Sequence, residues 1–450
     1  MAECTATVAD WDLPDLPLDE PDVDLQVKAE ELGIKYFLVS YAPLNTSDRI
    51  SVIPRRAIRD VQRRGCGVAS AMFFNTDGAD PEMYVVPDPR TLIQLPWRPE
   101  YAWLSSNLYM WGKPFSQCSR RALLRQIHRA KKMGYTMKSG VEPEFLLLDK
   151  DGSTFGDFRD TQQPMSLQEP LATMRNAPII MKVCEVMEQL GWKPYEVDHE
   201  ATCCQYEINF EYADSLTTAD RYGFMKFMIK EIAELEGRRV SFMPVGLPNL
   251  LCASGLHVNV SLWNTDDNTN AFKDPSNKEL GVSNVANYFL GGLLEHAIDS
   301  CAVMCSTVNS YKRLNAGSWC PDTISWGGNN RTVMLRVPAD NRIEHRLPDG
   351  ATNLYLSHAL ILAAGLDGIE AQTDPGMRID CEIKQHPDFN AIKRTPANLL
   401  DALRAFETSS FTRRSLGDEL VTAFTKMKKK EWVQYMAHLS SWELAFYSNC

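Results

Sequence analysis

Two periods of apolar and polar positions alternate along this chain, and each predicts a kind of element. Leu123, Leu124, Ile127 and Ala130 recur at helical spacing in Arg120–Met133, with Ser119 placed as an N-cap. The same period predicts helices over Ala177–Leu190, Thr218–Glu236, Ala286–Val308 and Leu354–Ala371, and a short one over Leu25–Leu32. Period-two alternation predicts strands. In VEPEFLLLD it puts Glu142 and Glu144 on one face, and in QYEINF it puts Gln205, Glu207 and Asn209 together, with Glu200 on the turn just before. SGLHVNVSLW turns His257, Asn259 and Ser261 away from Leu256, Val258, Val260 and Leu262. Further on, Arg342, Glu344 and Arg346 share a face opposite Ile343, His345 and Leu347, with Arg336 set between Leu335 and Val337.

Upstream, strand-length apolar runs broken by Pro87, Pro89, Pro96 and Pro99 read as β-rich material with punctuated turns. The division expected is an acidic arm over residues 1–24, a small β-rich domain over 25–113 and a larger α+β domain over 114–450. With 47 Lys and Arg against 58 Asp and Glu, the net charge of −11 disfavours a surface that holds nucleic acid or an anionic membrane. Small-molecule chemistry is the expectation, with neither nucleic acid nor membrane as partner. The apolar run Leu360–Leu366 is far shorter than the ~20 residues of a membrane span. No basic or apolar targeting segment opens the chain, and the 12 cysteines show no repeated pair spacing, which fits free thiols in a reducing cytoplasm. Neither GxxxxGK nor GxGxxG is present, so any ATP is bound by other means.

Taken singly, each charged strand reads as the solvated face of a sheet. Together they supply five carboxylates (Glu142, Glu144, Glu200, Glu207, Glu344), one imidazole (His257) and five guanidinium groups (Arg313, Arg331, Arg336, Arg342, Arg346). Hard Mg²⁺ or Mn²⁺ takes oxygen ligands, and Arg forks stabilise charge on a transferring phosphoryl group, so the set suits metal-assisted phosphoryl transfer.

In chain order, GVEPEFLL, HEATCCQYEINF, SGLHVNVSLW, NSYKRL, GGNNRT followed by LRVP, and RIEHRLPDGATNLYL resemble the signature segments of the glutamine synthetase family. The resemblance implies an N-terminal β-grasp domain, then a catalytic domain with a curved antiparallel sheet flanked by helices. It also implies homo-oligomeric rings, dodecamers in most members, with active sites between subunits. By the same resemblance Glu144, Glu200 and Glu207 hold one metal and Glu142, His257 and Glu344 another, two or three ions of Mg²⁺ or Mn²⁺ per site. Arg313 and Arg346 would contact glutamate, and Arg331, Arg336 and Arg342 the phosphates of ATP, with Arg331 nearest the transferred group. The implied reaction is attack of the glutamate γ-carboxylate on the ATP γ-phosphate, after which an amine displaces phosphate from the acyl phosphate.

The departures from the family pattern fall on the acceptor side. NAGSWCPD puts Trp319 where ammonia-using members carry a flap glutamate, Cys252 and Ala253 replace Asn-Gly, and Asn259 replaces a His. WGGNNRT and KKKEW with the following WE most resemble the branch that includes γ-glutamylmethylamide synthetase. The expectation is therefore an ATP-dependent ligase of glutamate and a small alkylamine, methylamine first, with Trp319 as an apolar or cation–π wall. Asp77 and Asp322 are the candidates for taking the amine's proton. Ammonia, a larger amine or polyamine, and a non-catalytic relative are the alternatives.

Overall fold

The protein is described here by a computed structural model covering residues 23–44, 48–160, 166–248, 250–315, 319–338 and 341–450. The acidic arm up to Asp22 and residues 316–318 of the acceptor segment lie outside the described residues. Asp24, assigned to the arm, instead caps the first helix, its carboxylate accepting from the backbone N–H groups of Gln26 and Val27.

The strands form two sheets. The first contains β1 (Tyr36–Tyr41), β2 (Arg49–Pro54), β3 (Cys66–Val68), β4 (Met83–Pro87), β5 (Ile93–Gln94), β6 (Tyr101–Met110) and β7 (Lys113–Pro114). Its order is β2-β1-β6-β4-β3, with β5 and β7 also on β6, and β1 and β6 run parallel while the other pairs are antiparallel. Helices α1 (Leu25–Leu32) and α2 (Ile58–Arg64) pack with it, giving the β-grasp-like arrangement expected.

The second sheet is built on β8 (Tyr135–Leu148), a long strand flanked by β9 (Pro194–His199), β10 (Gln205–Phe210), β11 (Ala213–Asp214), β12 (Arg239–Ser241) and β13 (Leu256–Asn264), then β14 (Trp326–Gly327), β15 (Leu335–Arg336) and β16 (Ile343–His345). The order is β14-β15-β16-β13-β8-β10-β9, with β11 and β12 also on β8. The expected antiparallel sheet is in fact mixed, because β14 and β15 run parallel. The charged alternation around Glu344 supports only a three-residue strand, so Arg342 and Arg346 flank β16 rather than belong to it.

The helices are α3 (Ser119–Lys132), α4 (Pro170–Gln189), α5 (Ser215–Leu235), α6 (Asn284–Glu295), α7 (Ala297–Met304), α8 (Val308–Leu314), α9 (Leu354–Ala371), α10 (Leu399–Thr408), α11 (Ser410–Leu416), α12 (Asp418–Met436) and α13 (Ser441–Tyr447). The single helix predicted over Ala286–Val308 is broken into α6, α7 and the start of α8. Local bonds override the apolar period there: His296 interrupts the run, stacking on Phe411 at 3.8 Å, and Thr307 and Ser310 close a capping box at the start of α8. By length and composition α9 could cross a membrane, but it packs against α3 and α6 with most of its residues buried.

One hydrophobic cluster runs through both sheets. Trp103 of β6 stacks on Phe227 of α5 at 5.3 Å, and Trp97 lies 5.9 Å from Phe224. Beside this seam Arg120, 2% exposed, donates to Asp88 at 3.0 Å and to both oxygens of Asp220 at 2.9 Å, while Tyr355 donates to Asp220 at 2.6 Å. The buried guanidinium thus ties the first sheet to α5 and α9. Arg120→Met is expected to cost about 3–5 kcal/mol, since it leaves the buried Asp220 without its cation, while Asp88 keeps Arg90 at 2.6 Å. Urea denaturation measures this, and a loss below about 1 kcal/mol would show that the network does not hold the seam.

Candidate active site

Strand register assembles the site. On β8 and β13 His257 stands opposite Glu142, and on β8 and β10 Glu144 stands opposite Glu207. On β13 and β16 Asn259 stands opposite Glu344, and on β15 and β16 Arg336 stands opposite Glu344. Directly opposed residues share a face, as do residues two apart on one strand. One face therefore carries Glu207, Glu144, Glu142, His257, Asn259, Glu344 and Arg336 in sequence across five strands.

His257 sits at the centre. Its Nδ1 lies 3.2 Å from Glu142 and 3.7 Å from Glu344, and its Nε2 lies 3.8 Å from Glu144. The ligand atoms of Glu142, His257 and Glu344 lie within 4.8 Å of one another, and so do those of Glu144, Glu207 and His257. The first group is the predicted one. In the second, His257 takes the place expected for Glu200, which approaches from the turn after β9.

Each carboxylate is held by a neutral or cationic donor. Glu144 accepts from Gln205 Nε2 and Gly255 N, both at 2.9 Å, Glu207 from Asn209 at 2.9 Å, and Glu142 from Asn259 at 2.7 Å. Glu344 accepts from Arg336 at 2.7 Å and Arg346 at 2.6 Å. Arg342 reaches the cluster indirectly, donating to Asn259 Oδ1 at 2.8 Å. Arg313, 2% exposed, donates to the backbone carbonyls of Leu347 and Arg346, while its Nε and that of Arg346 are buried without a partner among the described residues. Arg331 is exposed and acts on Glu200 electrostatically.

The charges are unevenly balanced. Burial, Glu144 and Asp198 push the Glu200 carboxyl up to about 8, with Arg331 pulling it down. Burial together with Glu142, Glu144 and Glu200 raises Glu207 well above the ordinary carboxylate range. Glu344 goes the other way: its burial is outweighed by His257, Arg346 and Arg336, which hold it at about 2. The side around Glu144, Glu200 and Glu207 is therefore short of positive charge.

A gap is kept open there by Gly255. A Cβ on that residue would lie 2.9 Å from Arg313 Nη2, 3.0 Å from Glu144 Oε1 and 3.2 Å from His257 Nε2, so only glycine leaves the space. Crowded carboxylates, one imidazole and a side-chain-free gap match the demands of hard divalent cations. From Glu142, Asn259 and Arg342 a cavity of about 820 Å³ extends along β8 and β13 past Tyr195, Tyr212 and Trp263.

The residues expected on the acceptor side are arranged differently. Trp319 is exposed. Burial lifts the thiol of the next residue, Cys320, to about 11 against the pull of Arg313, and burial with Glu144 and Glu200 does the same for Cys252. Both thiols are neutral at physiological pH. Asp322 is ion-paired with Arg394, and Asp77 closes its own turn by accepting from Ala79 N at 2.9 Å. Neither joins the carboxylate cluster within the chain. Sequence reasoning missed Cys320 and the gap at Gly255, although the SGLH motif carried the signal for the latter.

Residues 116–447 match the family described as "Glutamine synthetase, catalytic domain". The chain belongs to the glutamine synthetase family. It is 42% identical over 433 residues to a protein of Rhizobium leguminosarum bv. phaseoli named "Glutamine synthetase", covering 94% of this chain and 98% of the relative. It is 35% identical over 435 residues to the "Glutamate--methylamine ligase" of Methyloversatilis universalis, covering 93% and 97%. Two solved structures, "GmaS/ADP complex-Conformation 1" and "Apo GmaS without ligand", superpose with TM-scores of 0.91 and 0.90. Each is 43% identical and covers 95% of this chain and 100% of its own. Glutamine synthetase family membership makes this chain an ATP-dependent ligase, and the carboxylate face carries two groups of side chains that could hold a divalent metal.

The raised carboxyls give a pH signature. A carboxyl lifted from about 4.5 to about 8 stays neutral in the folded chain where the unfolded chain has already ionised, so stability falls as pH rises through that window. The metal-free protein is expected to melt several degrees lower at pH 8 than at pH 5.5, and Mg²⁺ to raise its Tm more at pH 8. Glu200→Gln is expected to flatten both trends in differential scanning fluorimetry. Trends unchanged by that substitution would remove Glu200 from the charged cluster.

Proposed function

We propose that this chain is a glutamate–amine ligase whose acceptor is a small alkylamine, methylamine first. In this reading Arg313 and Arg346 hold glutamate, and Arg331, Arg336 and Arg342 face the phosphates of ATP, with Arg331 nearest the transferred group. Glu144, Glu200 and Glu207 would hold one divalent cation and Glu142, His257 and Glu344 another. Such ions supply charge neutralisation on the phosphoryl oxygens. The chain's own guanidinium groups add to that neutralisation as the γ-carboxylate attacks the γ-phosphate. ADP leaves as the acyl phosphate forms; the incoming amine then attacks the acyl carbon, inorganic phosphate is expelled, and a proton leaves the nitrogen.

The observation that carries the choice of amine is the acceptor segment. Its one acid, Asp322, is committed to Arg394, while Trp319 is exposed and the thiols of Cys320 and Cys252 are neutral. A site that draws in ammonium favours a carboxylate, whereas an aromatic face and neutral thiols suit an alkyl substituent. A relative named glutamate–methylamine ligase and the GmaS structures support this choice. Ammonia is the second reading, favoured by the Rhizobium relative's name. Ring assembly, a dodecamer with sites between subunits, is supported by the exposed Trp442, Leu444 and Phe446 of α13, an apolar surface suited to burial against another copy. A cytoplasmic setting is supported by the absence of disulfides among the described cysteines.

Phosphate release from ATP with glutamate and Mg²⁺ tests the reading directly. Methylamine is expected to stimulate it at least tenfold more than ammonium at equal concentration, and a preference for ammonium would return the chain to glutamine synthesis. Glu144→Ala is expected to abolish turnover while the assembly stays intact by light scattering. Trp319→Glu should shift the preference toward ammonium, and an unchanged amine profile would end its role in the acceptor pocket.

A further inference from the structure

Glu200 is the one carboxylate of the cluster that no strand holds. β9 ends at His199 and β10 starts at Gln205, so the residue stands at the head of the turn between them. Two backbone bonds close that turn, Glu200 N donating to Gln205 O at 2.8 Å and Gln205 N to Thr202 O at 3.1 Å. At its far side Cys204 has a φ of 54°, a left-handed conformation that a residue with a Cβ adopts only at a cost. Such a turn needs support from outside itself.

A buried bracket gives that support. Asp160 and His199 are both buried, and a single oxygen of Asp160, Oδ2, accepts from His199 Nε2 at 3.0 Å and from Cys204 N at 2.6 Å. One atom thus grips the residue before Glu200 and the residue with the left-handed φ. Cys204 is held to the same loop by its thiol, which accepts from Asp157 N at 3.3 Å. The loop is fixed in turn, because the Asp157 carboxylate pairs with Arg159 and with Arg175 of α4. His199 stacks on Tyr206, with 5.1 Å between ring centres, and the Tyr206 hydroxyl accepts from Asn176 of α4 at 2.8 Å. Thr202 ties the middle of the turn to the segment leading to Gly255, donating to Cys252 O and accepting from Cys252 N, both at 2.8 Å.

Burying a carboxylate is a costly way to fasten a turn, and this turn already carries Glu200 into a crowd of like charge. What the bracket fixes is the backbone from which the Glu200 side chain projects. We propose that Asp160 is a positioning residue for Glu200: through His199 and Cys204 it sets the turn so that the Glu200 carboxylate meets those of Glu144 and Glu207 around a divalent cation. This rests on the reading of Glu200 as a metal ligand. Asp160 is no ligand itself and acts through the backbone on either side of Glu200. The acceptor oxygen matters here and its charge does not, so an amide oxygen with two lone pairs can replace it.

Titration of the metal-free full chain with Mn²⁺, followed by electron paramagnetic resonance without ATP or glutamate, tests this. Glu200→Gln is expected to raise the dissociation constant of one class of bound Mn²⁺ at least tenfold and to leave unchanged the class assigned to Glu142, His257 and Glu344. Asp160→Leu, which leaves both donors without their acceptor, should give the same selective loss, while Asp160→Asn stays within threefold of wild type. His199→Phe keeps a ring on Tyr206 but removes the N–H, and should raise the same constant at least threefold; it decides the matter if Asp160→Leu does not fold. Unchanged affinity in Glu200→Gln would remove the ligand reading and this proposal with it. Selective loss in Glu200→Gln beside wild-type affinity in Asp160→Leu or His199→Phe would overturn the positioning role alone. So would equal weakening of both Mn²⁺ classes, the mark of a general loss of structure, or a loss in Asp160→Asn as large as in Asp160→Leu.

Discussion

Like charges held together on one face of a sheet are the constraint around which this molecule is arranged. Glu142, Glu144, Glu207 and Glu344 are fixed by cross-strand pairing, not by flexible loops, and cannot move apart without breaking the ladder between β8 and its neighbours. The sheet must therefore supply counter-charge or hydrogen bonds where the carboxylates stand. It does so unequally. Glu344 receives two guanidinium groups and is strongly acidic, whereas Glu207 receives one amide and shares the field of three other carboxylates. The imbalance defines where external positive charge is required and so links the fold to the chemistry. A structural sheet face would have no reason to bury this repulsion, because exposing the same groups to water would relieve it.

The remaining architecture keeps that face rigid. The apolar side of β8, β10 and β13 joins the common core, so each inward residue fixes the orientation of its charged neighbour. On the turn that carries Glu200, Asp160 accepts from His199 at 3.0 Å and from Cys204 N at 2.6 Å, pinning both ends. Arg120 and the tryptophan–phenylalanine seam fix the first sheet against α5. These supports hold the carboxylate geometry before any ligand arrives, the preorganisation on which electrostatic catalysis depends.

Much of this was legible in the sequence because alternation survives in a list of residues. Glu142 with Glu144, and His257 with Asn259, could be assigned to common faces from period two alone. The partner of each strand could not, because period two says nothing about register; that Glu144 opposes Glu207 and His257 opposes Glu142 came from the ordered motifs and then from the pairing itself. Where alternation was pushed too far, around Arg342 and Arg346, the chain leaves the strand after three residues. Where an apolar period ran through Ala286–Val308, local capping at Thr307 and the interruption at His296 broke the helix. The SGLH motif carried Gly255, but the gap that the glycine keeps open could not be read from it, because Arg313 and Glu144, which bound that gap with His257, lie far away in the chain.

On the proposed function, the same distinction between strand and loop explains how such a site can change its acceptor and keep its phosphoryl chemistry. Every carboxylate and imidazole in the cluster other than Glu200 is locked by register, so replacing one disturbs its neighbour on the next strand as well as its own function. Trp319, Cys320 and Cys252 stand outside the regular elements, where a substitution alters shape and charge without touching the ladder. On that reading, divergence in amine choice is cheapest in these loops. The departures from the family pattern fall there for the most part, and Asn259, the one on the sheet, keeps the polar face intact by donating to Glu142 and accepting from Arg342.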